Sequence, residues 1–192
     1  MILNMYITFV PVILSGIGNM IFTKTSCYKK HAKPLDKGRI LRDGKRILGD
    51  NKTLIGFCSM IVLGSIFQCL WGIMCMYFKL EERNMVYAVY NNSVWYNLLL
   101  GAGFGFAYMI CELPNSFIKR RIDIAAGKTT SGIKGILFFI IDQIDSMLGV
   151  GIVLALVSPI TIKTYLQFVL LGGITHICVN LILFCLKIRK NI

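Results

Sequence analysis

The stretch LIGFCSMIVLGSIFQCLWGIMCMYF, residues 54–78, decides the fold. Its 25 residues carry no charge, and only Ser59, Ser65 and Gln68 interrupt the apolar run. A helix crossing the hydrocarbon core of a bilayer needs about 20 mostly apolar residues, so this run is long enough to span it. The same reading extends to Met1–Phe22, to the Gly-rich Trp95–Cys111, to Ile133–Ile162 (helix expected over 133–158) and to Tyr165–Leu186. Trp95 and Tyr96 stand where interfacial aromatic anchors occur. The chain is 56% hydrophobic, above the roughly 45–50% of soluble domains. The expected architecture is an all-α integral membrane protein of about five transmembrane helices, forming one domain over residues 1–192. Two basic loops, residues 23–53 and 112–132, join the spans.

Charge sets the expected orientation. Of the 21 Lys and Arg residues, ten lie in Lys24–Lys52, five in Lys119–Lys134 and three in the tail (Lys187, Arg189, Lys190). Lys79, Arg83 and Lys163 fall on the other side. The positive-inside rule then predicts a multi-pass protein of the cell membrane with its N-terminus outside and its C-terminus in the cytoplasm. Met1–Phe22 lacks a basic n-region and is followed by positive charge, which favours an uncleaved span over a signal peptide. The seven cysteines are scattered without metal-ligand spacing, so they read as packing residues. Gly101, Gly103 and Gly105 read as a close helix contact, since no strand stands before them as a nucleotide loop requires.

Three clusters carry chemistry. The first runs from Pro34-Leu35-Asp36 through Asp43-Gly44-Lys45-Arg46 to Gly49-Asp50-Asn51-Lys52-Thr53, directly into the second span. Asp50, Asn51 and Thr53 are candidate caps, and backbone N–H groups at a helix start beside Lys and Arg suit phosphate. A P-loop is excluded, because Asp50 and Asn51 intervene between Gly49 and Lys52-Thr53. The second cluster is Glu112-Leu113-Pro114-Asn115-Ser116-Phe117-Ile118-Lys119-Arg120-Arg121. Pro114 is expected to end the third span, and Ser116 and Lys119 share a face if the segment is helical. The third cluster is Asp142 and Asp145 inside the fourth span. Carboxylates in a membrane cost several kcal/mol, on the order of 3 on insertion scales, so they face a cavity and a partner. Three residues apart, they share one helical face and suit Mg²⁺ or a similar hard divalent ion. A salt bridge to a loop Lys or Arg is the structural alternative. His176 reads as a hydrogen-bonded packing residue and His31 as solvated loop.

Taken together, these three clusters resemble the signature of CDP-archaeol synthases, the archaeal-type CTP:lipid-phosphate cytidylyltransferases. Order and separation agree over nearly the whole chain. The wider family, including CDP-diacylglycerol synthases, is similar through Ser116-x-x-Lys119-Arg120 and Asp142-x-x-Asp145. The chain departs from the family in having Lys52-Thr53-Leu54-Ile55-Gly56 where Lys-Thr-Trp-Arg-Gly is common. Gln143 stands where bacterial CDP-diacylglycerol synthases carry Arg, which favours the archaeol-type branch. The resemblance implies that CTP and a lipid phosphate, digeranylgeranylglyceryl phosphate in that family, give a CDP-lipid and pyrophosphate. It implies Asp142 and Asp145 as ligands of Mg²⁺, and Lys119 with them as catalytic residues. It assigns Asp50, Asn51, Lys52, Thr53, Asn115, Ser116, Lys119 and Arg120 to nucleotide and phosphate, and Glu112 to metal or nucleotide. The expected partners are CTP, a membrane lipid phosphate and the bilayer, and not nucleic acid. Rival readings are a CDP-diacylglycerol-type synthase, a non-catalytic lipid-binding protein and an ion-coupled transporter.

Overall fold

The computed structural model describes residues 1–128 and 130–187. Arg189 and Lys190 of the basic tail lie outside the described residues. Among the described residues, five helices are long and apolar enough to cross a membrane. They are α1 (Ile2–Phe22), α3 (Leu54–Tyr77), α4 (Val94–Arg121), α5 (Gly132–Val157) and α6 (Ile162–Cys185); a short α2 (Ser26–His31) lies between the first two. At 1.5 Å per residue, a 24-residue helix such as α3 reaches about 36 Å, enough for the hydrocarbon core with some tilt.

Helix α3 is apolar outside and mostly small or polar inside, whereas the other spans also bury large apolar side chains such as Phe9, Phe104, Met147, Leu154 and Phe168. On α3 the buried face runs Gly56, Met60, Gly64, Gln68, Gly72, every fourth residue. Val62, Ile66, Leu70 and Ile73 are exposed on the opposite side. Lipid tails are as apolar as leucine, so burial of leucine gains little in a bilayer, and close backbone packing holds the helices together instead. Helix α4 is the centre of the bundle, packed on α3 and α5, while α1 leans on α3 and α6 on α5. A Cβ on Gly101 would lie 2.3 Å from the Gly64 carbonyl oxygen, and one on Gly105 would lie 2.5 Å from that of Met60. Gly103 is different: its nearest neighbour would be Val153 Cγ1 at 3.6 Å, an ordinary contact. Two of the three glycines read as a helix contact therefore make one.

The end of the bundle bearing residues 79–93 is plugged by that loop. Val86 and Tyr87 are buried. The Tyr87 hydroxyl accepts from Gln68 Nε2 (2.8 Å) and donates to Asn97 Oδ1 (2.7 Å). The Ser158 hydroxyl donates to the Met85 carbonyl (2.9 Å), tying the plug to the end of α5.

One boundary differs from the sequence reading. Pro114 does not end the third span; α4 runs through it to Arg121. The loop expected over 112–132 shrinks to residues 122–131. A helical proline forfeits one backbone hydrogen bond and crowds the preceding turn. Here Asn115 and Lys119, four apart on one face, bond to carboxylates of α5 and hold the helix on course.

The glycine contacts predict opposite outcomes for neighbouring substitutions. Gly101→Ala is expected to destabilise by about 1–3 kcal/mol through overpacking, whereas Gly103→Ala changes stability little. Thermal unfolding in detergent, followed by intrinsic fluorescence, measures both. Equal melting temperatures for the two variants would contradict the crossing described.

Candidate functional site

At the other end of the bundle, a cavity of about 520 Å³ opens among α1, the 48–53 segment, α4 and α5. Its wall carries five cations (Lys24, Lys52, Lys119, Arg120, Lys128) against three carboxylates (Glu112, Asp142, Asp145).

The carboxylates are placed by helical spacing. Asp142 and Asp145 fall on one face of α5, which turns to the Asn115 and Lys119 face of α4. Asn115 Nδ2 donates to Asp142 Oδ1 (2.6 Å) and to Asp145 Oδ2 (2.7 Å). The two carboxylates thus converge on a single atom. Lys119 Nζ donates to both oxygens of Asp142. Asp145 is buried and has no ion pair among the described residues, whereas the Asp142 side chain is 42% exposed toward the cavity. One turn earlier on α4, Glu112 is ion-paired with Lys52, at the entry of α3. Burial opposes the charge on Lys52, but Glu112, with Asp145 and Asp142 behind it, raises its pKa above the ordinary lysine value.

The loop that delivers Lys52 is built around a buried carboxylate, Asp36. It accepts from Arg46 Nη2 (2.6 Å) and from the backbone amides of Gly38, Leu48 and Gly49 (each 3.0 Å). Burial alone would raise its pKa; the Arg46 guanidinium and the three amides hold it well below the usual carboxylate range. Asp43 pairs with Arg121, and Lys45 with Asp123 (2.8 Å), which ties the loop to the end of α4. Gly49 is required at its place. Its φ is +107°, and a Cβ there would meet Ala126 Cβ at 3.0 Å and Arg120 Nη1 at 3.3 Å.

Of the residues singled out in the sequence, Asn51, Lys52, Thr53, Glu112, Asn115, Ser116, Lys119, Arg120, Asp142 and Asp145 all line this one cavity. Asp50 does not. Its exposed carboxylate turns back to Arg46, four residues earlier. Thr53 proves to be the cap of α3 among the three candidates. Its hydroxyl accepts from the Gly56 amide (3.1 Å) and bonds to the Tyr28 hydroxyl (2.8 Å). Asp142 does take a salt bridge, from Lys119 on a helix and not from a loop residue. Sequence reasoning passed over Lys24, Tyr28, Tyr108 and Lys128 and read His176 as a packing residue, yet all five also line the wall. His176 carried a signal, as an ionisable residue inside a span. The other four needed the tertiary arrangement.

The fold and this cavity define a class: a polytopic membrane protein with a charged chamber at one end of its helix bundle. The chain belongs to the CarS-like CDP-archaeol synthase family, whose model matches residues 2–192. The CDP-archaeol synthase of Methanosarcina barkeri is 30% identical over 169 residues, covering 83% of this chain and 89% of that one. That of Methanococcoides burtonii is 29% identical over 175 residues, with the same coverage. A solved structure of an intramembrane enzyme for archaeal membrane lipid biosynthesis has the same fold, with a TM-score of 0.62 at 22% identity over 92% of each chain.

The Asp36 hub predicts a pH dependence. Its depressed pKa makes its contribution to stability fully present above about pH 4, the unfolded carboxylate value, and lost as pH falls toward the folded value. Asp36→Asn is expected to cost about 1–3 kcal/mol at neutral pH. The gap in melting temperature between wild type and variant stays constant from pH 8 to 5 and closes only in stronger acid. A gap that closes on raising the pH would contradict the hub.

Proposed function

We propose that this protein is a Mg²⁺-dependent CTP:lipid-phosphate cytidylyltransferase of the CDP-archaeol type, working at the cytoplasmic face of the membrane. A phosphate oxygen of a digeranylgeranylglyceryl-type lipid attacks the α-phosphorus of CTP. Pyrophosphate leaves, and a CDP-lipid is formed. The N-terminus lies outside and the C-terminus in the cytoplasm, as the distribution of Lys and Arg favours. The observation that carries the reading is the convergence of Asp142, Asp145, Asn115, Lys119, Lys52 and Glu112 on one chamber at the basic end.

The donor set fits a hard cation. Mg²⁺ is usually bound through one or two carboxylates with phosphate and water oxygens completing the shell, and Asp142 and Asp145 supply the two carboxylates. Asn115 Oδ1 is buried without a hydrogen-bond partner. Turning its amide over would present that oxygen to the same point. Among the described residues no cluster of three or more His, Cys, Asp or Glu holds a metal by itself, which agrees with a site completed by substrate. Bound there, Mg²⁺ supplies neutralisation of the phosphate oxygens.

The protein's own part is positioning and charge exchange. Lys52 and Lys119 are held by Glu112 and Asp142. An entering triphosphate draws both ammonium groups to itself, which frees the carboxylates for the cation. Arg120 and Lys128 stand on the same wall and add charge toward the pyrophosphate. A general base has no task, because the attacking lipid phosphate is already ionised. Preorganised electrostatics of this kind supply much of the rate in phosphate chemistry.

Purified protein with radiolabelled CTP and a panel of lipid phosphates tests this directly. Product should be CDP-lipid and should require divalent cation. Asp142→Asn, Asp145→Asn and Lys119→Ala are each expected to lower turnover by roughly a hundredfold or more, and Lys163→Ala, outside the chamber, to leave it unchanged. Absence of CDP-lipid with every substrate, or full activity in either Asp variant, overturns the assignment.

A further inference from the structure

A short hairpin projects from the basic loop. Ile40 bridges to Arg46 in antiparallel fashion. The Leu41 amide donates to the Lys45 carbonyl (2.9 Å), and the Ile47 amide to that of Arg39 (3.2 Å). The Gly44 amide closes the turn on the Leu41 carbonyl (3.0 Å), with Gly44 at φ +76°. A Cβ on Gly38 or on Gly44 would find no atom within 4 Å, so the hairpin stands clear of its surroundings at both bends.

Its residues divide into two sets. Arg46 and Lys45 turn back into the protein and are matched, to Asp36 and to Asp123. Lys37, Arg39 and Arg42 are exposed and form no ion pair among the described residues. Between these free cations stand two large apolar side chains, Ile40 at 62% exposure and Leu41 at 41%. Water gives such a pair no reason to lie at the tip of a two-stranded ribbon. A basic and apolar mixture is the pattern of segments that lie in the membrane interface, with apolar side chains among the headgroups and arginine heads at the phosphates.

The hairpin also lies at the depth where that interface begins. Helix α4 has 28 residues and reaches about 42 Å, against about 30 Å of hydrocarbon, so its last turns enter the headgroup layer. The hairpin is tied to those turns. Arg121 pairs with Asp43 in the hairpin turn, and Lys45 Nζ donates to the Arg121 carbonyl (2.7 Å). The same Arg121 guanidinium lies 5.0 Å over the ring of Phe117, which is partly exposed, as is Ile118 beside it. The turn is thus held beside an outward, apolar side of α4.

We propose that the hairpin 39–47 docks on the anionic bilayer surface around the protein, with Ile40 and Leu41 inserted among the headgroups and Lys37, Arg39 and Arg42 on lipid phosphates. Charge complementarity selects this occupant, since the free cations meet a surface of opposite sign. The docking does not depend on the reaction proposed above. It gives the loop that carries Asn51 and Lys52 a second support, outside the bundle.

The test uses the full chain in nanodiscs of phosphatidylcholine alone or mixed with phosphatidylglycerol. Trypsin cleavage after Arg39 and Arg42, followed by mass spectrometry, is expected to be roughly fivefold slower or more in the anionic discs, and high salt restores the rate. Ile40→Ser combined with Leu41→Ser keeps both cleavage sites and is expected to lose most of the protection. A second measurement needs no protease. In Leu41→trifluoromethylphenylalanine the fluorine resonance is expected to be broadened by lipid spin-labelled near the headgroup and sheltered from a soluble gadolinium chelate. Equal cleavage rates in the two membranes, or a fluorine signal broadened by the chelate and not by the labelled lipid, places the tip in solvent, open to a soluble acidic partner, and overturns the docking.

Discussion

Two carboxylates inside a helix bundle set the terms for everything near them. The carboxylate oxygens of Asp142 and Asp145 need donors within the bundle, and α4 supplies these from Asn115 and Lys119. That demand draws the end of α4 against α5 and carries the helix through Pro114. It also fixes Glu112, one turn back, against Lys52. The chamber is the space left where these opposed charges meet. Its pairs are marginal by design of the chemistry: each cation has a better partner in a phosphate, and each carboxylate has one in a divalent ion.

The basic loop works by local neutrality. Its ten cations are not simply spread toward the lipid headgroups, because Arg46, Lys45 and, across the loop, Arg121 are each matched to an aspartate. Asp36 sits at the middle of this network and converts a polar, glycine-rich segment into a fixed platform. From that platform Asn51 and Lys52 reach the chamber, and Gly49 admits Arg120 at close range. Lys24, Arg120 and Lys128, which form no ion pair among the described residues, stand on the chamber wall, where they raise the potential felt by an entering polyanion.

Elsewhere the bundle is held by backbone proximity. Small residues on α3 and α4 bring carbonyls within reach of the facing glycines, while Phe9, Phe104, Met147, Leu154 and Phe168 fill an apolar core among the other helices. Such a scaffold makes one end rigid. The plug at residues 79–93 adds Gln68–Tyr87–Asn97 hydrogen bonds there.

Five spans were legible in the sequence because a bilayer demands about 20 uncharged residues from each, and few other structures do. The aspartate pair was legible for the complementary reason, since ionised groups within such a run need a partner. The spacing of Ser116 and Lys119 was enough to foresee a shared polar face. Tertiary structure alone decided that Pro114 is crossed, because the compensation comes from α5 and not from neighbours in the chain. It decided that Thr53 caps α3 and that Asp50 faces Arg46. It also brought His176, Tyr108 and Lys24 to the wall, from three elements far apart in sequence. Local pattern fixes which residues prefer helix, lipid or water; only the packing of distant helices fixes which charges share a space.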